Sequence, residues 1–296
     1  MFSGSIVALI TPFENGHVDH RAIRALVKWH ARAGTSAIVV CGSTGESALL
    51  THEEQGDIIF TAVEAAEGML PIIAGCGAPG TAETVALAQQ AQKAGADGLM
   101  IVAPYYVKPS QLQIMGHFKA VHDATDLPII IYNNAGRACV EITIDTIVAL
   151  ANELPRAVAL KDASADITRC TWLRMRVPNE FTLLSGDDPT VAGFLAHGGD
   201  GMISVNANVV PEMCAQFVLA WHQKHFSAFN ALRDKLLHLS KVLFCEPSPS
   251  ATKYALSLLD KCNTGLRAPL TELSEESKNK VYNTLIEIGA LEKQHA

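Results

Sequence analysis

Eight short apolar runs, at residues 5–10, 37–41, 71–74, 98–103, 128–132, 157–160, 181–184 and 201–205, limit what this chain can fold into. They are rich in Ile and Val, and their apolarity is continuous rather than alternating. That is the pattern of strands buried on both faces, as in a parallel sheet. Between them lie segments such as 21–33, 83–94 and 144–153, whose apolar residues recur at three and four positions, as on a one-sided helix. The strand–helix unit returns every roughly 20 to 35 residues. Eight such units predict an α/β chain folded as a closed (β/α)8 barrel of the TIM type in preference to an open sheet. After Pro211 the strand signal stops and helical patterns continue. The expected organisation is therefore a barrel over 1–225 and a C-terminal helical extension over 226–296, interrupted at Pro247 and Pro249 and with Pro269 in a later loop.

With 296 residues, 49% of them hydrophobic and 18% charged, the chain is long enough to bury a substantial core. Lys and Arg total 23 against 30 Asp and Glu, a net charge of −7, and no basic run could follow a phosphate backbone. No nucleic-acid partner is expected. The first apolar run stops at Thr11-Pro12, lacks a basic flank, and predicts a strand instead of a signal peptide. No apolar segment approaches the ~20 residues that cross a bilayer, so no membrane partner is expected either. The seven cysteines are odd in number, scattered, and form no Cys-x-x-Cys pair. This argues against a disulfide framework and a zinc site, and for the reducing cytoplasm. His222 and His225 lie three apart without a third ligand, which predicts a solvated helix face and no metal.

Barrel enzymes carry their chemistry where strands end, at the carboxyl face. Those ends read Gly42-Ser43-Thr44-Gly45-Glu46, Pro104-Tyr105-Tyr106, Tyr132-Asn133-Asn134-Ala135-Gly136-Arg137, Lys161, Ser185-Gly186-Asp187-Asp188 and Asn206-Ala207-Asn208. Lys161 closes the run Ala157-Val158-Ala159-Leu160. A lysine there either escapes to solvent or, held in a partly apolar pocket, loses ammonium stability and attacks a carbonyl to form a Schiff base. Neighbouring tyrosines and a serine would then carry the protons that dehydration requires. Gly42 to Gly45 is either a tight turn or a cradle of backbone N–H groups for a carboxylate. Arg137 offers a planar fork to a second carboxylate. Asp187-Asp188-Pro189 reads as a helix cap.

Gly75-Cys76-Gly77-Ala78-Pro79-Gly80 spells a dinucleotide fingerprint after a strand and before a helix. It follows the third strand instead of the first, and the next strand ends on Ala103-Pro104 where a ribose-binding acid would stand. No nucleotide cofactor is expected from it, nor any other cofactor.

Taken together, Phe2-Ser3-Gly4-Ser5-Ile6-Val7-Ala8, Gly42-Ser43-Thr44-Gly45-Glu46-Ser47, Pro104-Tyr105-Tyr106, Tyr132-Asn133, Arg137, Lys161, Ser185-Gly186-Asp187-Asp188, Ile203-Ser204-Val205, Ala207-Asn208-Val209 and Glu246-Pro247-Ser248-Pro249 occur in an order and spacing that resembles the dihydrodipicolinate synthase family. That family lies within the wider group of pyruvate-dependent Schiff-base aldolases. The resemblance covers nearly the whole chain. It implies a lyase in which Lys161 forms a Schiff base with pyruvate, whose carboxylate rests on Ser43 and Thr44, with Gly186 and Ile203 lining the pocket. Ser43, Tyr106 and Tyr132 would relay protons, and Arg137 would hold the carboxylate of aspartate semialdehyde. The product would be 4-hydroxy-tetrahydrodipicolinate, an intermediate of diaminopimelate and lysine biosynthesis. The resemblance also implies a homo-oligomer, a tetramer, in which the tyrosine matching Tyr105 or Tyr106 comes from a neighbouring subunit.

Several positions depart from the family's pattern. Ser43 replaces a usual threonine, as in sialic acid lyases of the same superfamily; Asn134-Ala135 replaces Val-Pro, Ala138 a threonine and Asn206 a threonine. Arg137 favours the synthase over those lyases, although an N-acetylneuraminate or keto-deoxy-sugar acid lyase would use the same Lys161. Ser47, Ala48, His52, Glu83 and Tyr105 match a regulatory lysine site found in some members. Gln55 and Pro79 stand there in place of histidine and asparagine, and proline supplies no side-chain amide, so weak or absent lysine inhibition is expected.

Overall fold

The computed structural model describes residues 2–292. Its parallel strands are β1 (Gly4–Ala8), β4 (Ala37–Val40), β5 (Ile72–Gly75), β6 (Gly98–Val102), β7 (Ile129–Asn133), β8 (Ala157–Asp162), β9 (Thr182–Ser185) and β10 (Gly201–Ser204). They close in the order β1-β10-β9-β8-β7-β6-β5-β4, with β1 bonded to both β10 and β4. At the seam Gly4 pairs with Gly201. A Cβ on Gly201 would lie 2.2 Å from the Gly4 carbonyl oxygen, so the first and last strands meet there only because that residue has no side chain. The expected closed α/β barrel is thus the observed fold, with strand ends shifted by one or two residues.

A small hairpin, β2 (Phe13–Glu14) with β3 (His17–Val18), follows the first strand; its apolar content is too slight to have been foreseen. The helices are α1 (His20–Arg32), α2 (His52–Ala66), α3 (Thr81–Lys93), α4 (Gln111–Ala124), the single-turn α5 (Ala135–Ala138), α6 (Ile144–Glu153), α7 (Thr168–Arg174), α8 (Val191–Ala196) and α9 (Pro211–His222). Their starts are set locally. Thr51 and Glu54 form a reciprocal capping box on α2, and Ser110 and Gln113 another on α4. Beyond the barrel run α10 (Phe226–Leu243), α11 (Ser250–Leu258) and α12 (Glu275–Glu287).

Alternation along each strand divides the apolar residues into two clusters. Ile6, Ala8, Val39, Ile73, Met100, Ile130, Ala159, Leu184 and Ile203 fill the barrel's interior. Val7, Ile38, Ile72, Leu99, Ile129, Leu160 and Leu183 face the helices. That outer cluster continues without a break into Leu239 and Leu243 of α10, Ala255 and Leu256 of α11, and Leu285 of α12.

Candidate active site

Lys161 and Tyr132 meet because of an irregularity in the sheet. At the start of β7 and β8, Ile129 is opposite Ala157, but after a register shift Ile130 is opposite Ala159 and Tyr132 opposite Lys161. Without that extra residue Tyr132 would be matched with Leu160, which faces the helices. The bulge therefore turns both side chains into the barrel together. Lys161 is 6% exposed, and its Nζ stands 4.3 Å from the centroid of the Tyr132 ring. Gly186, on the neighbouring strand end, makes room: a Cβ there would lie 2.9 Å from both Cγ and Cε of Lys161.

The Tyr132 hydroxyl accepts a hydrogen bond from Asn134 Nδ2 at 2.7 Å, and the Ser43 hydroxyl lies near it. Burial pushes the phenol up, but the Lys161 charge, the Asn134 bond, the Arg137 charge and Ser43 outweigh it and hold the group below the usual tyrosine value. Ser43 belongs to a turn that begins where Cys41 takes a left-handed backbone with φ 54°. The turn is closed by Glu46 N–H to Ser43 O at 3.1 Å and Ser47 N–H to Gly42 O at 3.3 Å. Among the described residues, the N–H groups of Ser43 and Thr44 donate to no protein acceptor.

Ser43 opens onto a cavity of about 340 Å³, whose lining does not include Lys161, Tyr132, Thr44 or Gly186. Ser43, Tyr105, Arg137 and Met100 line it from the barrel, and Ser248 and Leu270 from the C-terminal extension. Arg137 is exposed at its mouth, while Ile203 is buried in the barrel interior below. Tyr106 is not brought into the cavity by its own chain: it is 86% exposed, on a left-handed backbone with φ 71° that a bulky residue rarely adopts. Gly75 and Gly77, of the fingerprint-like stretch, serve packing. A Cβ would fall 2.3 Å from the Cys41 oxygen at the first and 2.5 Å from Val102 Cγ1 at the second. Among the described residues no three His, Cys, Asp or Glu side chains cluster as a metal site, and no helix is long and apolar enough to cross a membrane.

The sequence profile of the dihydrodipicolinate synthetase family matches residues 1–288. The chain belongs to that family. The 4-hydroxy-tetrahydrodipicolinate synthase of Parvibaculum lavamentivorans is 45% identical over 291 residues, covering 98% of this chain and 100% of its own. Dihydrodipicolinate synthase from Aquifex aeolicus superposes with a TM-score of 0.96 at 42% identity, over 99% of this chain and 100% of its own. A chloride-inhibited dihydrodipicolinate synthase from Acinetobacter baumannii, complexed with pyruvate, gives 0.95 at 38% identity, over 98% and 100%.

In this dihydrodipicolinate synthetase family chain, the residues matched to a regulatory lysine site lie together. Ser47, Ala48 and Tyr105 line the cavity, and His52 Nε2 is 3.0 Å from Glu83 Oε1. Burial, with the Glu83 carboxylate nearby, raises the Tyr105 phenol. Gln55 is buried and donates to the Ser47 carbonyl at 3.2 Å, so its amide is already engaged.

Three supports of the site have no clear signal in the sequence. Asp162 accepts from Asn133 Nδ2 at 3.1 Å and Arg169 Nε at 3.0 Å, locking β7 to β8 one residue past Tyr132 and Lys161. Of Asp187-Asp188-Pro189, expected to cap a helix, Asp187 takes the N-cap position of a short 3-10 helix, while half-buried Asp188 accepts from the Ser204 hydroxyl and, at 2.8 Å, from Val205 N–H. It anchors the loop after Ile203, and burial pushes its carboxyl up. Glu46, at the foot of the Ser43–Thr44 turn, is paired with Lys253 of α11, both side chains being 0% exposed. Lys253 also donates to Gly265 O at 2.7 Å and lies 4.2 Å from the Phe13 ring centroid.

Proposed function

We propose that this chain is a 4-hydroxy-tetrahydrodipicolinate synthase, a lyase that condenses pyruvate with L-aspartate 4-semialdehyde. The observation that carries the reading is a buried lysine at the carboxyl end of a barrel strand, facing a tyrosine of lowered pKa beside a turn of free N–H groups. Lys161 Nζ attacks the keto carbon of pyruvate, and water leaves as the Schiff base forms. The pyruvate carboxylate sits on the Ser43 and Thr44 N–H groups, within the room that Gly186 and Ile203 leave. Loss of a methyl proton gives the enamine, whose carbon bonds to the aldehyde carbon; the aldehyde oxygen becomes the product hydroxyl. The semialdehyde's amine then displaces Lys161 and closes the ring, so one water is released overall. Tyr132 and Ser43 move the protons of these steps, and Arg137 at the mouth takes the semialdehyde carboxylate.

Tyr106 belongs to the same relay through assembly. Its exposure on one chain fits a homo-oligomer, a tetramer by resemblance, in which it enters a neighbouring copy's cavity. Weak or absent inhibition by lysine goes with the same reading.

The decisive experiment has two arms. Borohydride reduction in the presence of pyruvate is expected to fix the three carbons on Lys161, read by peptide mass, and Lys161→Met to abolish the adduct. In an acceptor panel, kcat/KM with aspartate semialdehyde is expected to exceed that for cleavage of N-acetylneuraminate or keto-deoxy-gluconate. An adduct with another best substrate would assign the same lysine to a different aldolase.

A further inference from the structure

Asn134 carries one side chain to two functional residues. As the N-cap of α5, its Oδ1 accepts from Arg137 N–H at 3.1 Å, and its Nδ2 donates to the Tyr132 hydroxyl at 2.7 Å. The amide's orientation is settled by chemistry: a backbone N–H can only donate, so the oxygen must face Arg137 and the nitrogen must face the phenol. An oxygen that accepts from Asn134 has to send its own proton elsewhere. The groups around it say where. Lys161 on β8 covers the ring face, Arg137 on α5 adds a second positive charge, Val102 on β6 is apolar, and Ser43 supplies the remaining hydroxyl.

We propose that Asn134 is a positioning residue for the reaction: it aims the Tyr132 proton towards Ser43 and the reacting carbon, stabilises the phenolate once the proton has left, and fixes the backbone that presents Arg137. The proposal rests on the Schiff-base reading above. A hydrogen bond to an ionised oxygen is stronger than to a neutral one, so the Asn134 N–H favours the deprotonated phenol, in the same direction as the observed shift. An alanine or valine would remove cap and donor together. Serine separates them: its hydroxyl retains the cap acceptor but is too short to reach the phenol. Aspartate also keeps the cap, and sets a carboxylate against the hydroxyl.

The test compares wild type, Asn134→Ser and Asn134→Asp in pH profiles of kcat/KM, alongside ultraviolet titration of Tyr132 by difference from Tyr132→Phe. Loss of the donor is expected to move the alkaline limb and the phenol titration upward by about half to one pH unit in the serine variant, and further in the aspartate variant. At neutral pH kcat should fall roughly three- to tenfold, with little change in KM for pyruvate. A merely structural cap would leave both pH midpoints where they are, and unmoved midpoints in two folded variants overturn the proposal. Borohydride trapping in the wild type keeps the two claims apart. No adduct at Lys161 removes the Schiff-base reading itself, whereas an adduct with unmoved midpoints removes only the role of Asn134.

Discussion

Position 186 has no room for even one added methyl group. Gly186→Ala would set a Cβ against both Cγ and Cε of Lys161, and the lysine, being the end of a flexible chain, would yield. A displacement of about 1 Å at a reacting atom costs roughly a hundredfold in rate, so kcat should drop by about that factor while circular dichroism stays native. The same variant should trap less pyruvate with borohydride; full trapping at the wild-type rate would contradict this account. Lys161 was legible in the sequence as an awkward charge closing an apolar run, and Gly186 as a neighbour of a strand end. The contact between them was not, because it depends on the register and side-chain paths of two neighbouring strands, which the sequence does not reveal. Asn134 shows the same limit: the sequence marks it as a departure, and only the fold reveals that its amide reaches Tyr132.

At the scale of elements, periodicity recovers the strands but not their register. Nothing in Ala157-Val158-Ala159 announces the bulge that makes Tyr132 and Lys161 partners, since any of the three could be the extra residue. Nor does the helical pattern of α11 reveal that Lys253 points inward, for a lysine on an amphipathic helix ordinarily belongs to the solvent face. Its burial depresses the ammonium pKa, and Glu46 opposes that shift. Lys253→Met would leave the Glu46 carboxylate buried without a counter-charge, at a cost of about 3–5 kcal/mol in unfolding free energy. Adding Glu46→Gln should restore a large part of that loss. Urea unfolding of the single and double variants measures both values, and a single variant as stable as wild type would show the pair to be dispensable.

For the whole molecule, the closed barrel and helical extension were readable because eight buried strands and a stretch of helix leave few architectures. The pH response was not, because it comes from histidines whose burial only the packed fold decides. Burial holds His30 down to about 3 and His117 to about 4. Below the ordinary value of 6.5 the unfolded chain takes up protons that these rings refuse, so stability is lost as pH falls. The slope is about 1.4 kcal/mol per pH unit for each histidine, and the urea midpoint should be lower at pH 5 than at pH 7. A midpoint that does not move would mean that the rings are hydrated. One more consequence belongs to time instead of space. Lys253 lies 207 residues after Glu46. At about 5–20 residues per second, a ribosome delivers the lysine roughly 10–40 s after its partner. Until then the Glu46 carboxylate lacks the ammonium it pairs with in the folded chain, so a chain halted before α11 holds Lys161, Tyr132, Ser43 and Arg137 without the counter-charge of the turn beside them.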